Sequence, residues 1–465
     1  MITFGETPRL APQVLRAERL PTKDEPQELF AKLKVDKENA FLLESATGPS
    51  RLAEYSFVGF DPAQLIHVNG RRLRLVDSES GSTDTVAVED PLDEIRRLVP
   101  PDSVSGLFRF IGGAVGYISY DSIHYWEGTQ HGDGLGQFPE MEFGVFRDGV
   151  VFDHLRKEVY YYTLGEYRAD EVKRVLRRSA PEGDLRLSRI RPSISRGRFE
   201  QMVSTAKEFI SAGDIFQVVL SKRHDFEMQG DLGRFYSRLS SINPSPYMYF
   251  IKFGERSIIG SSPEMLVRVQ DRRIETFPIA GTRPRFRDAK RNEQLSKELL
   301  ADPKERAEHV MLVDLARNDV GRVSKYGSVI TPEFQSIQQY SHVQHMVSRV
   351  VGELREGFDS LDALRALFPA GTVSGAPKVR AMEIIRELEP DRRGPYAGAV
   401  GYFSFNGNAD FAITIRTLVA QGRSCSVQAG AGIVADSVPS REWEETDAKA
   451  AGLLSSARQA SGGYR

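Results

Sequence analysis

Four glutamates and a lysine carry the first suggestion of chemistry in this chain. In Ser440-Arg441-Glu442-Trp443-Glu444-Glu445-Thr446-Asp447-Ala448-Lys449, a helix puts Glu442 and Glu445 on one face, with Lys449 a turn further along it. Far upstream, Pro303-Lys304-Glu305-Arg306-Ala307-Glu308-His309 repeats the spacing at Glu305 and Glu308. Two carboxylate pairs on separate helices can close around one hard divalent cation. Magnesium prefers oxygen ligands and keeps positions for water or a substrate oxygen, so such a site would hold an acidic substrate. A plainer reading stands beside this one, because acids gather at helix starts against the macrodipole. Asp302 reads as an N-cap, Pro303 suits the first helical position, Glu305 sits where a capping box places its acid, and Ser440 reads as the cap of the second helix.

The elements that must position these groups belong to a chain of 465 residues, long enough for several domains and large cores. Lys+Arg 62 against Asp+Glu 64 leaves no basic field, so no nucleic-acid partner is expected. Cys425 is the single cysteine, which excludes an internal disulfide and fits a reducing compartment. It lies in the strand-like Ser424-Cys425-Ser426-Val427-Gln428 without a glycine elbow, and reads as a buried structural thiol rather than a nucleophile. No run is long and apolar enough to span a bilayer, and Met1 to Pro12 lacks the apolar centre of a secretion signal. The expectation is a cytoplasmic protein with no membrane partner.

Residues 13–165 are rich in short strand patterns, with a hairpin at 149–155 and 159–163. A polar, arginine-rich stretch at 166–197 reads as a linker, and a second domain runs over 198–455. There Phe199, Met202, Val203, Ala206, Phe209 and Ile210 recur at helical spacing, and Gly213 closes that helix. A strand is expected at 214–221, and others at 258–259, 265–269 and 274–279, with a turn at Asp271. Helices are expected at 304–316, 361–367 and 378–388. The class is α+β with large antiparallel sheets.

A series of segments then appears in one order: Gly213-Asp214-Ile215-Phe216-Gln217-Val218-Val219-Leu220-Ser221, Ser261-Ser262-Pro263-Glu264-Met265-Leu266, Pro278-Ile279-Ala280-Gly281-Thr282-Arg283-Pro284-Arg285, Asp314-Leu315-Ala316-Arg317-Asn318-Asp319, Gly371-Thr372-Val373-Ser374-Gly375-Ala376-Pro377-Lys378 and Gln428-Ala429-Gly430-Ala431-Gly432-Ile433. With them the chain resembles the chorismate-utilising enzymes, and within them the large component (component I) of anthranilate synthase. The resemblance implies the chorismate-binding fold, a sandwich of large antiparallel sheets with helices outside. It implies that Glu305, Glu308, Glu442 and Glu445 bind Mg²⁺, directly or through water, and that the metal grips the ring carboxylate of chorismate, with Lys449 offsetting excess negative charge. It assigns Arg416, Tyr396 and the Gly430-Ala431-Gly432 loop to the enolpyruvyl carboxylate, and puts Thr372 close to the ring. Glycine lets backbone N–H groups approach a ligand, and arginine offers a planar fork to a carboxylate. Glu264 is the implied acid for loss of the 4-hydroxyl, with a pKa raised in a closed site, and His345 assists beside the ring. His342 has no such role.

Two positions choose among relatives. Gln217 stands where water-adding members have a lysine base, and an amide takes no proton at neutral pH. Ala280 stands where aminodeoxychorismate synthases typically have a nucleophilic lysine. Direct attack by ammonia remains, giving anthranilate and pyruvate in tryptophan biosynthesis. No cysteine-based glutaminase motif is present, so a separate glutamine amidotransferase subunit is implied, in a heterodimer or heterotetramer. Leu42-Leu43-Glu44-Ser45, Tyr55-Ser56-Phe57-Val58-Gly59 and Asn243-Pro244-Ser245-Pro246-Tyr247-Met248 resemble the tryptophan feedback pocket. Glu44 and Ser45 would meet the amino acid's polar end, while Pro246, Tyr247 and Met248 would line the pocket. The rival readings are an aminodeoxychorismate synthase component I lacking the covalent lysine, and a chorismate or tryptophan sensor without turnover.

Overall fold

The computed structural model describes residues 14–45, 54–128, 138–180, 183–340 and 343–462. His342 lies outside them. Two antiparallel sheets, one of 13 strands and one of 12, make up the architecture. In the larger sheet, Arg16–Arg19, Glu158–Thr163, Asp148–Asp153, Tyr55–Phe60 and Asn39–Glu44 run side by side from one edge. Asn39–Glu44 then pairs with Tyr247–Phe253, and the order continues through Arg256–Ser262, Thr417–Gln421, Ser424–Ile433 and Gln217–Gly230. The smaller sheet makes the same kind of junction where Gly113–Ile118 pairs with Ala399–Ser404. Strands from before and after residues 166–197 therefore share both sheets. The 166–197 stretch itself holds the helix Ala169–Leu176 and two short strands, Leu185–Leu187 and Arg191–Pro192, that pair with Gln217–Gly230.

The strand Asn39–Glu44 shows why the sheets pack as they do. Successive side chains point to opposite faces. Phe41 enters the space between the sheets, where its ring lies 4.7 Å from that of Phe146, and Phe57 meets Tyr402 at 6.0 Å. Leu42 and Val58 face outward into a second core, roofed by the helices Pro26–Leu33, Leu232–Ile242 and Pro439–Ala460 through Leu29, Phe235 and Leu453. Burial on both faces explains the unbroken apolar run Ala40-Phe41-Leu42-Leu43. On the smaller sheet, the helix Pro303–Gly321 packs over Val343–Glu353 and Ile279–Pro284.

Several local expectations hold. Gly213, at φ 85, closes the helix Arg196–Ala212, which Ser195 caps. The hairpin forms between Asp148–Asp153 and Glu158–Thr163. Asp271 and Arg272, at φ 49 and 64, make the two-residue turn that lets Gln270 face Arg273. The strand beginning at Gln217 runs on to Gly230 because residues 222–227 find partners in Ser424–Ile433, which alternation alone did not reveal. Two capping assignments change. The last helix begins at Pro439 with Val438 as its N-cap, so Ser440 lies inside the first turn. Asp302 caps Pro303–Gly321 by accepting from the Lys304 and Glu305 amides, while the Glu305 carboxylate turns to Arg283 instead of completing a capping box.

Candidate active site

The two glutamate pairs come from opposite sheets. Glu305 and Glu308 occupy the first turns of Pro303–Gly321, over the smaller sheet, and Glu442 and Glu445 the first turns of Pro439–Ala460, over the larger. The two helix starts lie together, with Lys304 Nζ 3.9 Å from Asp436 Oδ2 just before the second helix. Burial pushes Glu308 upward and neighbouring Glu305 adds to it; burial likewise raises Glu442, and Glu445 adds to that. Lys304 and Lys449 draw both Glu308 and Glu442 back down, so one pair of cations acts on both acid pairs.

Each of three carboxylates also has a nitrogen donor. Arg283 Nη1 donates to Glu305 Oε1 at 3.0 Å, Gln217 Nε2 to Glu308 Oε1 at 3.3 Å, and Lys449 Nζ lies 2.7 Å from Glu445 Oε1. Among the described residues, no three acidic, histidine or cysteine side chains stand together at metal-coordinating distance. The fit to a metal therefore rests on donor chemistry. Four carboxylates would suit a hard dication, and the burial and mutual repulsion that raise Glu308 and Glu442 are what such a charge would relieve.

Glu264, between Arg256–Ser262 and Met265–Gln270, forms the inner end of the site. Burial pushes its carboxyl up to about 8, against downward pulls from Thr372, Arg416 and Lys449. The Thr372 hydroxyl is near enough to favour the carboxylate, yet it is buried with no formed hydrogen bond. Arg416 sits at φ 50, a state uncommon for a residue with a side chain. Its guanidinium makes no hydrogen bond or ion pair among the described residues, and burial pulls its pKa down while Glu264 and Tyr340 push it up. A cavity of about 40 Å³ reaches Glu264 and Thr372 past Pro278, Leu312 and Leu315. That is room for a few water-sized molecules.

Three glycines bring the remaining groups close. Gly281, at φ 67, leaves no space for a Cβ, which would lie 2.8 Å from Leu299 Cδ1 and 3.0 Å from Glu305 Oε2. Its carbonyl accepts from His345 Nδ1 at 3.0 Å, and Thr282 Oγ1 is also 3.0 Å from Nδ1. The carbonyl can only accept, so Nδ1 carries the proton and Nε2 keeps its lone pair, an assignment made from the hydrogen-bond network. Burial, with a smaller push from Arg416, holds His345 below the usual histidine range. On the strand Ser424–Ile433, a Cβ on Gly430 would lie 2.7 Å from the Tyr396 hydroxyl, and one on Gly432 would lie 2.6 Å from Gln217 Nε2. The Gly430 carbonyl accepts from Lys449 at 2.9 Å, while Ala431, buried between the glycines, points into the core. Ala280, on Ile279–Pro284, is buried and brings no nucleophile.

Sequence reasoning missed Arg283, Lys304 and Tyr340 as members of this site. Tyr340 lies with its ring 5.5 Å from that of His345 and acts electrostatically on Arg416. Arg283 belongs to the segment 278–285, but nothing in its spacing from Glu305 signals the contact. Gln217 was read only for lacking a lysine's basicity; its contact with Glu308 crosses 91 residues.

The segments compared with a tryptophan pocket meet at the sheet junction. Met248 is paired directly with Glu44, whose carboxylate accepts from the Tyr236 hydroxyl and is raised by burial. The Ser45 amide donates to Ser56 Oγ at 3.3 Å, and Pro246 is buried nearby in the chain. Tyr247 points to the other face, where its hydroxyl donates to Asp410 Oδ1 at 2.9 Å and accepts from Arg268 Nη2 at 3.2 Å. Glu44, Ser45 and Met248 are thus together, with Tyr247 directed between the sheets.

Known proteins resemble this chain over most of its length. The anthranilate synthase component 1 of Methanothermobacter thermautotrophicus is 50% identical over 441 residues, 95% of this chain and 94% of that protein. That of Aquifex aeolicus is 45% identical over 463 residues, 95% and 93% of the two chains. The crystal structure of anthranilate synthase component I from Streptococcus pneumoniae TIGR4, 38% identical, matches with a TM-score of 0.78 over 86% of this chain and 92% of that one. The menaquinone-specific isochorismate synthase of Escherichia coli, at 21% identity and a TM-score of 0.73 over 95% and 94%, shares the fold. With residues 38–455 matching the profile described as chorismate binding enzyme, the chain belongs to the chorismate binding enzyme family.

Proposed function

We propose that this protein is the synthase component of an anthranilate synthase, converting chorismate and ammonia to anthranilate and pyruvate. The observation that carries the reading is Glu264, a carboxylic acid kept protonated by burial to a pKa of about 8, beside the Thr372 hydroxyl and the Arg416 guanidinium, which makes no hydrogen bond or ion pair among the described residues. A hydroxyl leaves only when a proton is supplied, and a buried acid protonated at neutral pH can supply it. Arg416, with Tyr396 and the Gly430–Gly432 segment, orients the substrate's side-chain carboxylate by a charge-assisted fork. His345, proton on Nδ1 and lone pair on Nε2, can take the proton released as the ring becomes aromatic.

Glu305, Glu308, Glu442 and Glu445 would hold Mg²⁺, which when bound supplies a dication to neutralise and orient the ring carboxylate. Lys449, joined to Glu445 and to the Gly430 carbonyl, links the acid cluster to the carboxylate-binding strand. The absence of a base at Gln217 and of a nucleophile at Ala280 favours ammonia over water or a covalent route. The printed name "component 1" of the relatives supports a second component here, an amidotransferase that releases ammonia from glutamine. Among the described residues no helix is long and apolar enough to cross a membrane, and we assign the enzyme to the cytoplasm. Glu44, Ser45, Pro246, Tyr247 and Met248 would bind tryptophan as a feedback inhibitor, with 13–165 as the regulatory region and 198–455 as the catalytic one. The chain alone, given chorismate, Mg²⁺ and an ammonium salt, should yield fluorescent anthranilate; glutamine in place of ammonium should yield none. Formation of an aminated product that retains the pyruvate moiety would overturn the assignment.

A further inference from the structure

We propose that Glu389 and Arg393 form a positioning node that sets the spacing between the Thr372 turn, the glycine strand and Tyr396. Neither touches the substrate in the reading above, on which this inference rests. Both side chains are almost wholly buried, at 4% and 1% exposure, in the segment after the helix Lys378–Leu388. Arg393 Nε donates to Glu389 Oε2 at 2.9 Å and Nη2 to Glu389 Oε1 at 2.8 Å. The same guanidinium reaches two backbone carbonyls, Val373 at 2.7 Å through Nη1 and Val219 at 2.6 Å through Nη2. Glu389 Oε1 also accepts from the Ser221 amide at 2.7 Å and its hydroxyl at 2.8 Å. The guanidinium lies 4.6 Å from the Tyr120 ring centre and 5.6 Å from that of Tyr396.

The partners show what the node fastens. Val373 follows Thr372 in the short turn Gly371–Val373. Val219 and Ser221 pair with Gly432 and Gly430, so holding one strand at two points fixes the other where Gly430 lies against Tyr396. Three of the four groups assigned to the substrate side-chain carboxylate and ring therefore refer to one side-chain pair; Arg416 does not. Only a planar fork with donors in several directions can satisfy a carboxylate and two carbonyls at once. A lysine supplies one compact charge and can hold at most part of the set. The node makes no direct contact with Glu305, Glu308, Glu442 or Glu445, so it should act first on substrate placement rather than on the metal. Misplacement of about 1 Å can cost on the order of 10²-fold in rate.

The test compares wild type with Arg393→Lys and Glu389→Gln under ammonia-dependent conditions, varying chorismate and Mg²⁺ separately. Chorismate binding is also read by calorimetry, which does not depend on the product formed. The expected result for Arg393→Lys is a rise of about tenfold in both chorismate KM and its calorimetric Kd, and a fall in kcat, with the Mg²⁺ concentration for half-activation unchanged. Glu389→Gln should move the same quantities by roughly threefold, since an amide keeps one acceptor oxygen but loses the charge. A lowered melting temperature with chorismate KM and Kd unchanged would overturn the proposal, as would a shift confined to Mg²⁺ activation. If Arg393→Lys does not fold, Glu389→Gln decides by the same criteria. Failure of wild type to make anthranilate would count against the functional reading alone, because the calorimetric comparison still tests the node.

Discussion

Two of the buried glutamate–arginine couples in this protein are built in opposite ways. Glu389 and Arg393 are bonded twice to each other, and their remaining capacity is taken up by backbone and by Ser221. Glu264 and Arg416 feel each other's charge but share no hydrogen bond, and Arg416 has no protein partner among the described residues. Taking a charge out of water is repaid only when its donors and acceptors are filled. The first couple repays it within the fold. The second leaves an acid protonated at neutral pH and a cation without a bonded counter-ion among the described residues, a costly pair that makes chemical sense when an anionic reactant completes it.

The comparison can be broken most forcefully at Glu264. Glu264→Gln keeps the shape but cannot give up a proton, and kcat should fall by about 10²- to 10⁴-fold with little change in Mg²⁺ activation, measured by anthranilate fluorescence. Arg416→Gln comes next, with an expected loss of about 3 kcal/mol of substrate binding, or on the order of 100-fold in kcat/KM. Its melting temperature should hold or rise, because no protein group loses a hydrogen-bond partner and an unrepaid buried charge is removed.

A pH profile then sharpens the contrast. The acid must be protonated to act and its folded pKa is near 8, so wild-type kcat should decline as pH rises through about 8. The stability sign follows from the same shift: a carboxyl raised on folding adds stability that is complete below the unfolded value and is lost as pH rises through the folded one. Glu264→Gln should therefore melt higher than wild type at pH 9 and no higher at pH 4. The smallest effect is expected at the bonded couple. Ser221→Ala removes the hydroxyl's bonds to Glu389 and Gln428 but leaves the Ser221 amide on Glu389, and should cost about 1–2 kcal/mol in denaturant unfolding, with a smaller effect on turnover than Glu389→Gln.

Local chemistry was legible in the sequence where a short-range rule governs it. The Gly213 cap, the Asp271 turn and the helix Lys378–Leu388 each depend on residues a few positions apart. The glutamate pairs were legible for the same reason, as was the Glu445–Lys449 contact at 2.7 Å. Glu389 and Arg393 also share helical spacing, yet their partners Val219 and Ser221 lie more than 160 residues away, and no periodicity encodes that. The sandwich arrangement, and the roles proposed for Glu264 as acid and for Arg416 as carboxylate anchor, came through resemblance to a family rather than through pattern. The choice of Ser440 as a cap failed because Pro439, which needs no amide partner, starts the helix two residues earlier than that cap would.

The junction of Asn39–Glu44 with Tyr247–Phe253 has a practical consequence. A fragment beginning near residue 198 would strip that neighbour away and bare the backbone of an apolar strand, Tyr247-Met248-Tyr249-Phe250-Ile251, along a new edge. Such an edge recruits other chains. Attempts to isolate the C-terminal half for separate study should end in aggregates, and the two halves of the polypeptide must be inherited, expressed and engineered together.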